Sequence, residues 1–220
     1  MAGVVSTDSA LVRTAGETVA ADALLNVRRG SSYVSRGGDK LAHALDAFAV
    51  DVRDRVVLDA GCSTGGFTDC VLVRGARHVH AVDVGYGQLA WSLREDPRVS
   101  VRERTNVRAL VRDSLDPPAS LAVVDLAFTS LTTVVAHLAS LLVAPADLVV
   151  LVKPQFEASR EQLDGGVVRD GDVRRSLIDG VAAAAAAAGL DVRERTDSPI
   201  AGADGNREAF LWLRARAAPR

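Results

Sequence analysis

Lys40 and Lys153 are the only lysines in a chain whose 26 basic residues are otherwise all arginine. An ammonium can give up its proton where its surroundings favour the amine, whereas a guanidinium stays charged at every physiological pH. A lysine kept in such a sequence marks a position where a titratable amine is needed; chance survival is the competing reading. A second feature with chemical content is Leu58-Asp59-Ala60-Gly61-Cys62-Ser63-Thr64-Gly65-Gly66-Phe67-Thr68, a glycine-rich turn directly after an apolar run. Glycines let the backbone approach a ligand closely, and a following helix offers unpaired amides. A phosphate loop would need Gly-Lys-Ser/Thr here, and a dinucleotide fingerprint would need glycine at the third position, where Ser63 stands. Further along, Asp83 closes Ala81-Val82-Asp83 and is placed to accept hydrogen bonds from the two ribose hydroxyls of an adenosine. An acid at Asp59 without a phosphate cradle suits a ligand with a cationic amino-acid end, which points to S-adenosylmethionine; a scaffold that binds no nucleotide is the bland alternative.

These residues need a frame that brings them together. Short apolar runs recur at Val56 to Asp59, Val79 to Asp83, Val99 to Arg102, Leu121 to Leu126 and Leu148 to Lys153. Helix-like segments alternate with them at Gly66 to Arg74, Gln88 to Arg94, Leu131 to Val143 and Arg174 to Gly189, and Asp39 to Val50 reads as a helix before the first run. The alternation predicts an α/β fold with a doubly wound, mostly parallel sheet covered on both faces. Leu190 to Thr196 and Ala209 to Arg214 read as two consecutive strands with no helix between them, an antiparallel pair at the sheet's edge. Residues 1–34 read as a small appendage with short β-like runs at Gly3-Val4-Val5 and Leu24 to Val27, linked through Arg28 to Ser32; the main domain is expected over residues 35–216.

Several longer motifs then become specific. Ser35 to Leu41, Asp59 to Thr68, Asp83 to Trp91, Glu103 to Asn106, Val152 to Glu157, Gly165 to Asp170, Ser198-Pro199-Ile200 and Gly205-Asn206 closely resemble the TlyA family over about residues 33 to 214. The resemblance implies an FtsJ-like domain with the Rossmann-like class I methyltransferase fold, S-adenosyl-L-methionine as cofactor, and 2′-O-methylation of cytidine in ribosomal RNA. By motif position it implies a Lys-Asp-Lys-Glu tetrad at Lys40, Asp125, Lys153 and Glu208, which takes up both lysines of the chain. A ribose 2′-hydroxyl is a poor nucleophile at neutral pH, and an amine pressed near another cation and partly desolvated can act as its base. On that basis Lys153 is expected as general base or principal activator, Asp125 as its orienting carboxylate, and Lys40 with Glu208 as positioning groups. Taken singly, each reads equally as half of a salt bridge at a strand end. For the cofactor the resemblance implies Asp59, Gly61, Ser63, Thr64, Gly65 and Phe67 near the methionine moiety, Asp83 on the ribose and Val84 beside the adenine. Asn106 reads as an adenine contact or a helix cap. Arg36 is expected as a phosphate contact on a flexible glycine loop, Arg104 as a phosphate contact or an ion pair, Tyr86 as a base-stacking candidate, and Trp91 as partly packed by its spacing from Leu89 and Leu93.

Charge and composition narrow the remaining classes. With 28 acidic residues the formal charge is −2, so no global basic field draws the chain to nucleic acid or anionic membrane, and any polyanion site must be local. The apolar stretch Leu131 to Val152 is broken by His137, Pro145 and Asp147 and reads as a helix and a buried strand, so no stable membrane association is expected. Cys62 and Cys70 without a signal peptide suggest reduced thiols and a cytoplasmic protein working on ribosomal RNA or ribosomal subunits. His78 and His80 alternate on one side of a strand, read as a solvated edge, and no metal site is expected. TlyA proteins usually begin with a complete small RNA-binding domain, of which residues 1 to about 30 resemble at most the final strands, so a truncated arm is expected. Two other classes compete: a membrane-active, hemolysin-like protein, and an RNA-binding ribosome-assembly factor with little turnover.

Overall fold

The computed structural model describes residues 5–7, 18–27 and 32–216. The chain divides into two compact units, Met1–Ser32 and Tyr33–Arg220. In the first, β1 (Val5–Ser6) pairs antiparallel with β2 (Asn26–Val27). Gly3, Val4 and most of the expected linker, residues 28–31, lie outside the described residues.

The second unit is an α/β domain. Its strands are β3 (Val56–Ala60), β4 (His78–Val82), β5 (Val99–Arg102), β6 (Leu121–Val124), β7 (Ala146–Val152), β8 (Asp191–Asp197) and β9 (Ala209–Ala215). They form one sheet in the order β5-β4-β3-β6-β7-β9-β8. The first five are parallel and the last two antiparallel, as the alternating pattern predicted. Every residue of β3, β6 and β7 is buried, which is why these strands read as apolar runs, broken by Asp59 in β3 and Asp147 in β7. Helices α1 (Arg36–Ala47) and α2 (Gly66–Val73) cover one face, where Leu41, Leu45, Phe48 and Val71 pack on Val57, Val123 and Phe210. The other face carries α4 (Val135–Ser140) and α6 (Gly171–Ala187), with Leu138, Ile178 and Val181 against Leu58, Val124 and Leu148. Two single-turn helices, α3 (Trp91–Arg94) and α5 (Pro154–Glu157), sit in the connections after β4 and β7. Because β3, β4, β6 and β7 run in one direction, the residues that follow them, Gly61, Asp83, Asp125 and Lys153, all emerge at one edge of the sheet.

Several local expectations need correction. Helix α1 starts three residues early, with Ser35 at its N-cap, so Arg36 and Gly37 belong to its first turn rather than to a flexible loop. Gly38 is needed there because a side chain would collide with the Tyr33 ring. The helix expected over Leu131 to Val143 is a 3-10 turn, Leu131–Thr133, followed by the six-residue α4. Helix α6 begins at Gly171 because the Asp170 carboxylate accepts from the amides of Asp172 (2.7 Å) and Val173 (3.0 Å). The histidines of β4 are not on a solvated edge, because β4 lies between β3 and β5 and His80 is fully buried. Its Nε2–H donates to the Pro117 carbonyl at 2.8 Å, Nδ1 has no partner, and burial holds the imidazole below the usual histidine range. Trp91 is 72% exposed rather than partly packed, because α3 is too short to present a second face to the core.

Candidate active site

The glycine-rich turn is woven between the two strands that flank β3. Gly61 and Cys62 donate their amides to the Val82 carbonyl at the end of β4 (2.8 and 3.2 Å), while the Asp125 amide donates to Ala60 (2.9 Å). Gly61 has φ +90°, and any side chain there would strike the carbonyl oxygen of Asp125. Ser63, at φ +47°, donates its amide to Asp83 Oδ2 (2.8 Å), and the other oxygen of that carboxylate accepts from Gly85 (2.7 Å). Gly65 caps α2 with φ +97° and faces Leu89 and Leu93, so it closes the turn against the segment around α3 instead of facing the ligand side.

This arrangement borders a cavity of about 500 Å³. Gly61, Ser63, Asp83, Val84, Asn106, Asp125 and Lys153 are among its walls, which brings seven of the expected residues to one space. A second, smaller cavity of about 240 Å³ is lined by Lys40, Arg36, Thr64, Phe67 and Gly202, among others. Gly61, Ser63 and Asp125 belong to both, so Asp125 stands where the two spaces meet.

The four tetrad positions form two ion pairs. Lys153 Nζ lies 2.5 Å from Asp125 Oδ1, a charge contact in which that oxygen makes no well-directed hydrogen bond. Lys40 Nζ donates to Glu208 Oε2 at 2.6 Å. Glu208 is 3% exposed and lies under Gly202, where a side chain would collide with its carboxylate. Arg174, from α6, donates to the carbonyls of Arg207 (2.9 Å) and Glu208 (3.2 Å) and so fixes the backbone that carries this acid. Each lysine faces a carboxylate, not the second cation that the sequence reading required.

Asp59 departs most from expectation, because it lines neither cavity. Strand alternation turns its side chain to the α1–α2 face, where Thr68 Oγ1 donates to Oδ2 at 2.6 Å and Oδ1 is left without a partner. Burial pushes its carboxyl up to about 7; the Thr68 hydroxyl opposes the rise, and the charges of Asp125 and Asp83 add to it. Asn106 both borders the larger cavity and caps a 3-10 turn, accepting from the Arg108 amide at 3.0 Å. Arg104 sits with its guanidinium 4.1 Å from the centroid of the exposed Tyr86 ring. Both thiols are buried and their protons are held: burial pushes Cys62 well above its ordinary range and Cys70 up to about 11, so neither offers a thiolate nucleophile. Among the described residues no group of three or more His, Cys, Asp or Glu could hold a metal ion.

Sequence reasoning missed Gln88, Arg108 and Phe128 on the larger cavity and Ala201 and Gly202 on the smaller one. Phe128 takes φ +58°, is 91% exposed and packs its ring 5.3 Å from that of Phe156. A lone aromatic in a connection carries no periodic signal, and Gly202 reveals itself only through the distant acid it covers.

A mostly parallel sheet closed by an antiparallel pair, with a glycine turn after the central strand and an acid ending the next, defines a class I S-adenosylmethionine-dependent methyltransferase. A solved methyltransferase of that description from Mesorhizobium loti has the same fold at TM-score 0.59 and 16% identity, covering 81% of this chain and 100% of that one. The chain belongs to the FtsJ-like methyltransferase family, whose model matches residues 33–215. It is 51% identical over 186 residues, 84% of this chain and 69% of the relative, to the 16S/23S rRNA (cytidine-2′-O)-methyltransferase TlyA of Mycobacterium tuberculosis. A solved structure from Streptococcus thermophilus that carries a hemolysin name has TM-score 0.86 and 39% identity, covering 99% of this chain and 80% of that one. S-adenosylmethionine is the cofactor of this class, and the residues present fit it. The larger cavity lies in the roughly 300–1,000 Å³ range of small-molecule sites, the glycine turn leaves backbone exposed along one wall, and Asp83 sets on that wall a carboxylate held by the amides of Ser63 and Gly85.

Proposed function

We propose that this chain methylates a ribose 2′-hydroxyl of ribosomal RNA, at cytidine. The observation that carries this reading is the place of Asp125, shared by a cavity sized for the cofactor and a smaller polar one, with a lysine–carboxylate pair on each side. Gly61 and Ser63, which border both cavities, hold the methionine end, with Thr64 and Phe67 next to it on the smaller cavity; Asp83 takes the ribose, and Val84 and Asn106 flank the adenine. Asp59 and Gly65 support the turn from behind. S-adenosylmethionine, when bound, supplies a methyl group on a sulfonium, electrophilic enough to need only an activated hydroxyl opposite it. In the smaller cavity Lys40, held by Glu208, orients the acceptor ribose. Lys153 in its amine form takes the 2′-hydroxyl proton, and Asp125 orients Lys153 and compensates the charge it gains.

Residues 35–216 form the methyltransferase domain, and residues 1–34 belong to an RNA-binding module that precedes it. Arg36 and Arg108, which border the two cavities, with Arg104 beside Tyr86, supply locally the positive potential that a net charge of −2 does not. The protein acts on ribosomal subunits in the cytoplasm. No helix among the described residues is long and apolar enough to cross a membrane.

The test incubates purified protein with labelled S-adenosylmethionine and ribosomal subunits or their naked RNA, then digests the RNA. Label is expected in an alkali-resistant dinucleotide that contains cytidine. Label on a base, or no transfer by protein that binds the cofactor, overturns the reading.

A further inference from the structure

Lys153, the N-cap of α5, and Glu157, its last residue, bracket the single turn of that helix. Both reach the connection that follows β6. Lys153 meets Asp125 at its start, and Glu157 meets its far end, where Oε1 accepts from the Leu131 amide at 2.7 Å and Oε2 from Ser130 Oγ at 2.6 Å. Between these ties the rings of Phe128 and Phe156 touch, and Phe128 is held in a left-handed conformation uncommon for a non-glycine residue. Residues 125–131 are therefore stapled to 153–157 at both ends. One staple is the proposed catalytic pair; the other is a carboxylate that lines neither cavity.

We infer that Glu157 is a positioning residue, whose grip on Ser130 and Leu131 sets the separation of Asp125 and Lys153. The inference rests on the function proposed above. If Glu157 lets go, the hydrogen bonds that tie residues 130–131 to α5 are gone; Leu126 still packs on the core, Phe128 on Phe156, and Ser130 keeps its turn bonds with Thr132 and Thr133, but Asp125 can follow the backbone away from Lys153. A displacement of about 1 Å at a reacting pair costs on the order of a hundredfold in rate. A capping carboxylate with no further task would change stability and leave turnover below the melting range untouched.

Two variants separate these cases. Glu157→Ala removes both bonds. Glu157→Gln keeps both, because its carbonyl oxygen accepts from Leu131 while its amide donates to a Ser130 hydroxyl turned round. Turnover of Glu157→Ala is expected to fall about ten- to a hundredfold, with the cofactor Kd and the KM for RNA within about threefold of the parent protein. Glu157→Gln should stay within about threefold in turnover. An unchanged turnover in Glu157→Ala, or an equal loss in Glu157→Gln, overturns the inference. Should Glu157→Ala not fold, Ser130→Ala removes one bond alone and is expected to lower turnover about three- to tenfold; parental turnover there also overturns it. Hydrogen exchange gives a readout that needs no catalysis: Glu157→Ala, or failing that Ser130→Ala, should speed exchange over 126–131 while β7 stays protected. Unchanged exchange overturns the clamp. A parent protein that transfers no methyl to ribosomal RNA would count against the function alone.

Discussion

Replacing Asp59 by Asn should make the protein progressively more stable, relative to its parent, as the pH rises. The native carboxyl is pushed up to about 7 from an ordinary value of 3.8, chiefly by complete burial. A raised carboxyl pKa means that the folded chain holds a proton which the unfolded chain has released. Stability from this group is therefore fully present below pH 3.8, declines between 3.8 and about 7, and is absent above. A difference of about three pKa units at about 1.4 kcal/mol each amounts to roughly 4 kcal/mol over the whole range, of which about 3 kcal/mol falls between pH 5 and pH 8. Asn keeps an oxygen for the Thr68 hydroxyl, has nearly the same volume and does not titrate, so its own stability carries no such slope. Urea unfolding of both proteins at 25 °C, at pH 5, 6, 7 and 8, gives the difference directly. The variant should gain about 3 kcal/mol on the parent across that series, levelling off above pH 7.5. A difference that stays flat within about 0.5 kcal/mol would show that Asp59 is ionised throughout, and with it that water or a counter-charge reaches the orphaned Oδ1; the burial argument would then fail.

Three further perturbations bear on the site. Lys153→Arg keeps the charge opposite Asp125 but cannot supply a neutral amine, so methyl transfer should fall about 10²–10⁴-fold while calorimetry finds the cofactor Kd unchanged; activity near the parent level would remove Lys153 from the role of base. Gly61→Ala forces a side chain into the Asp125 carbonyl at a positive φ, and should cost about 2–3 kcal/mol in denaturant unfolding together with a clear loss of cofactor affinity. Lys40→Met leaves Glu208 buried without its partner and should destabilise by about 3–5 kcal/mol, whereas Lys40→Met with Glu208→Gln should recover most of that stability and none of the activity; a double variant as unstable as the single one would refute the pairing.

The strands and the edge where the site lies were legible because doubly buried parallel strands read as short apolar runs that single residues such as Asp59 and His80 do not hide, and the residue after each one marks the open edge. The proposed tetrad was placed by motif resemblance, with the two lysines that stand out among so many arginines falling on its two lysine positions. Their partnership with the two acids was not legible. Lys40 and Glu208 are 168 positions apart, and only the antiparallel return of β9 beside β7 brings the acid under Gly202 and within reach of α1. His80 illustrates the same limit on a smaller scale: alternation shows that it shares a side with His78, but the fate of that side depends on a carbonyl 37 positions away at Pro117.

Asp59 shows where adjacency misleads. It directly precedes the glycine turn, so position alone put it against the ligand, yet period-2 geometry in β3 sends the side chain of residue 59 to the face opposite Leu58 and Ala60. Once it is buried there, an ionised Asp59 beside Asp83 and Asp125 would add a third negative charge to a small volume, and protonation near neutral pH relieves it. Asp83 and Asp125 are the two that border the cavity, which divides the three carboxylates around the turn into one that supports it from beneath and two that line the ligand space. That division follows from strand alternation and burial together; neither a motif nor a spacing contains it. It also makes the pH series on Asp59→Asn informative about the site, because a flat result would mean that a third charged acid sits beneath the turn that meets the ligand.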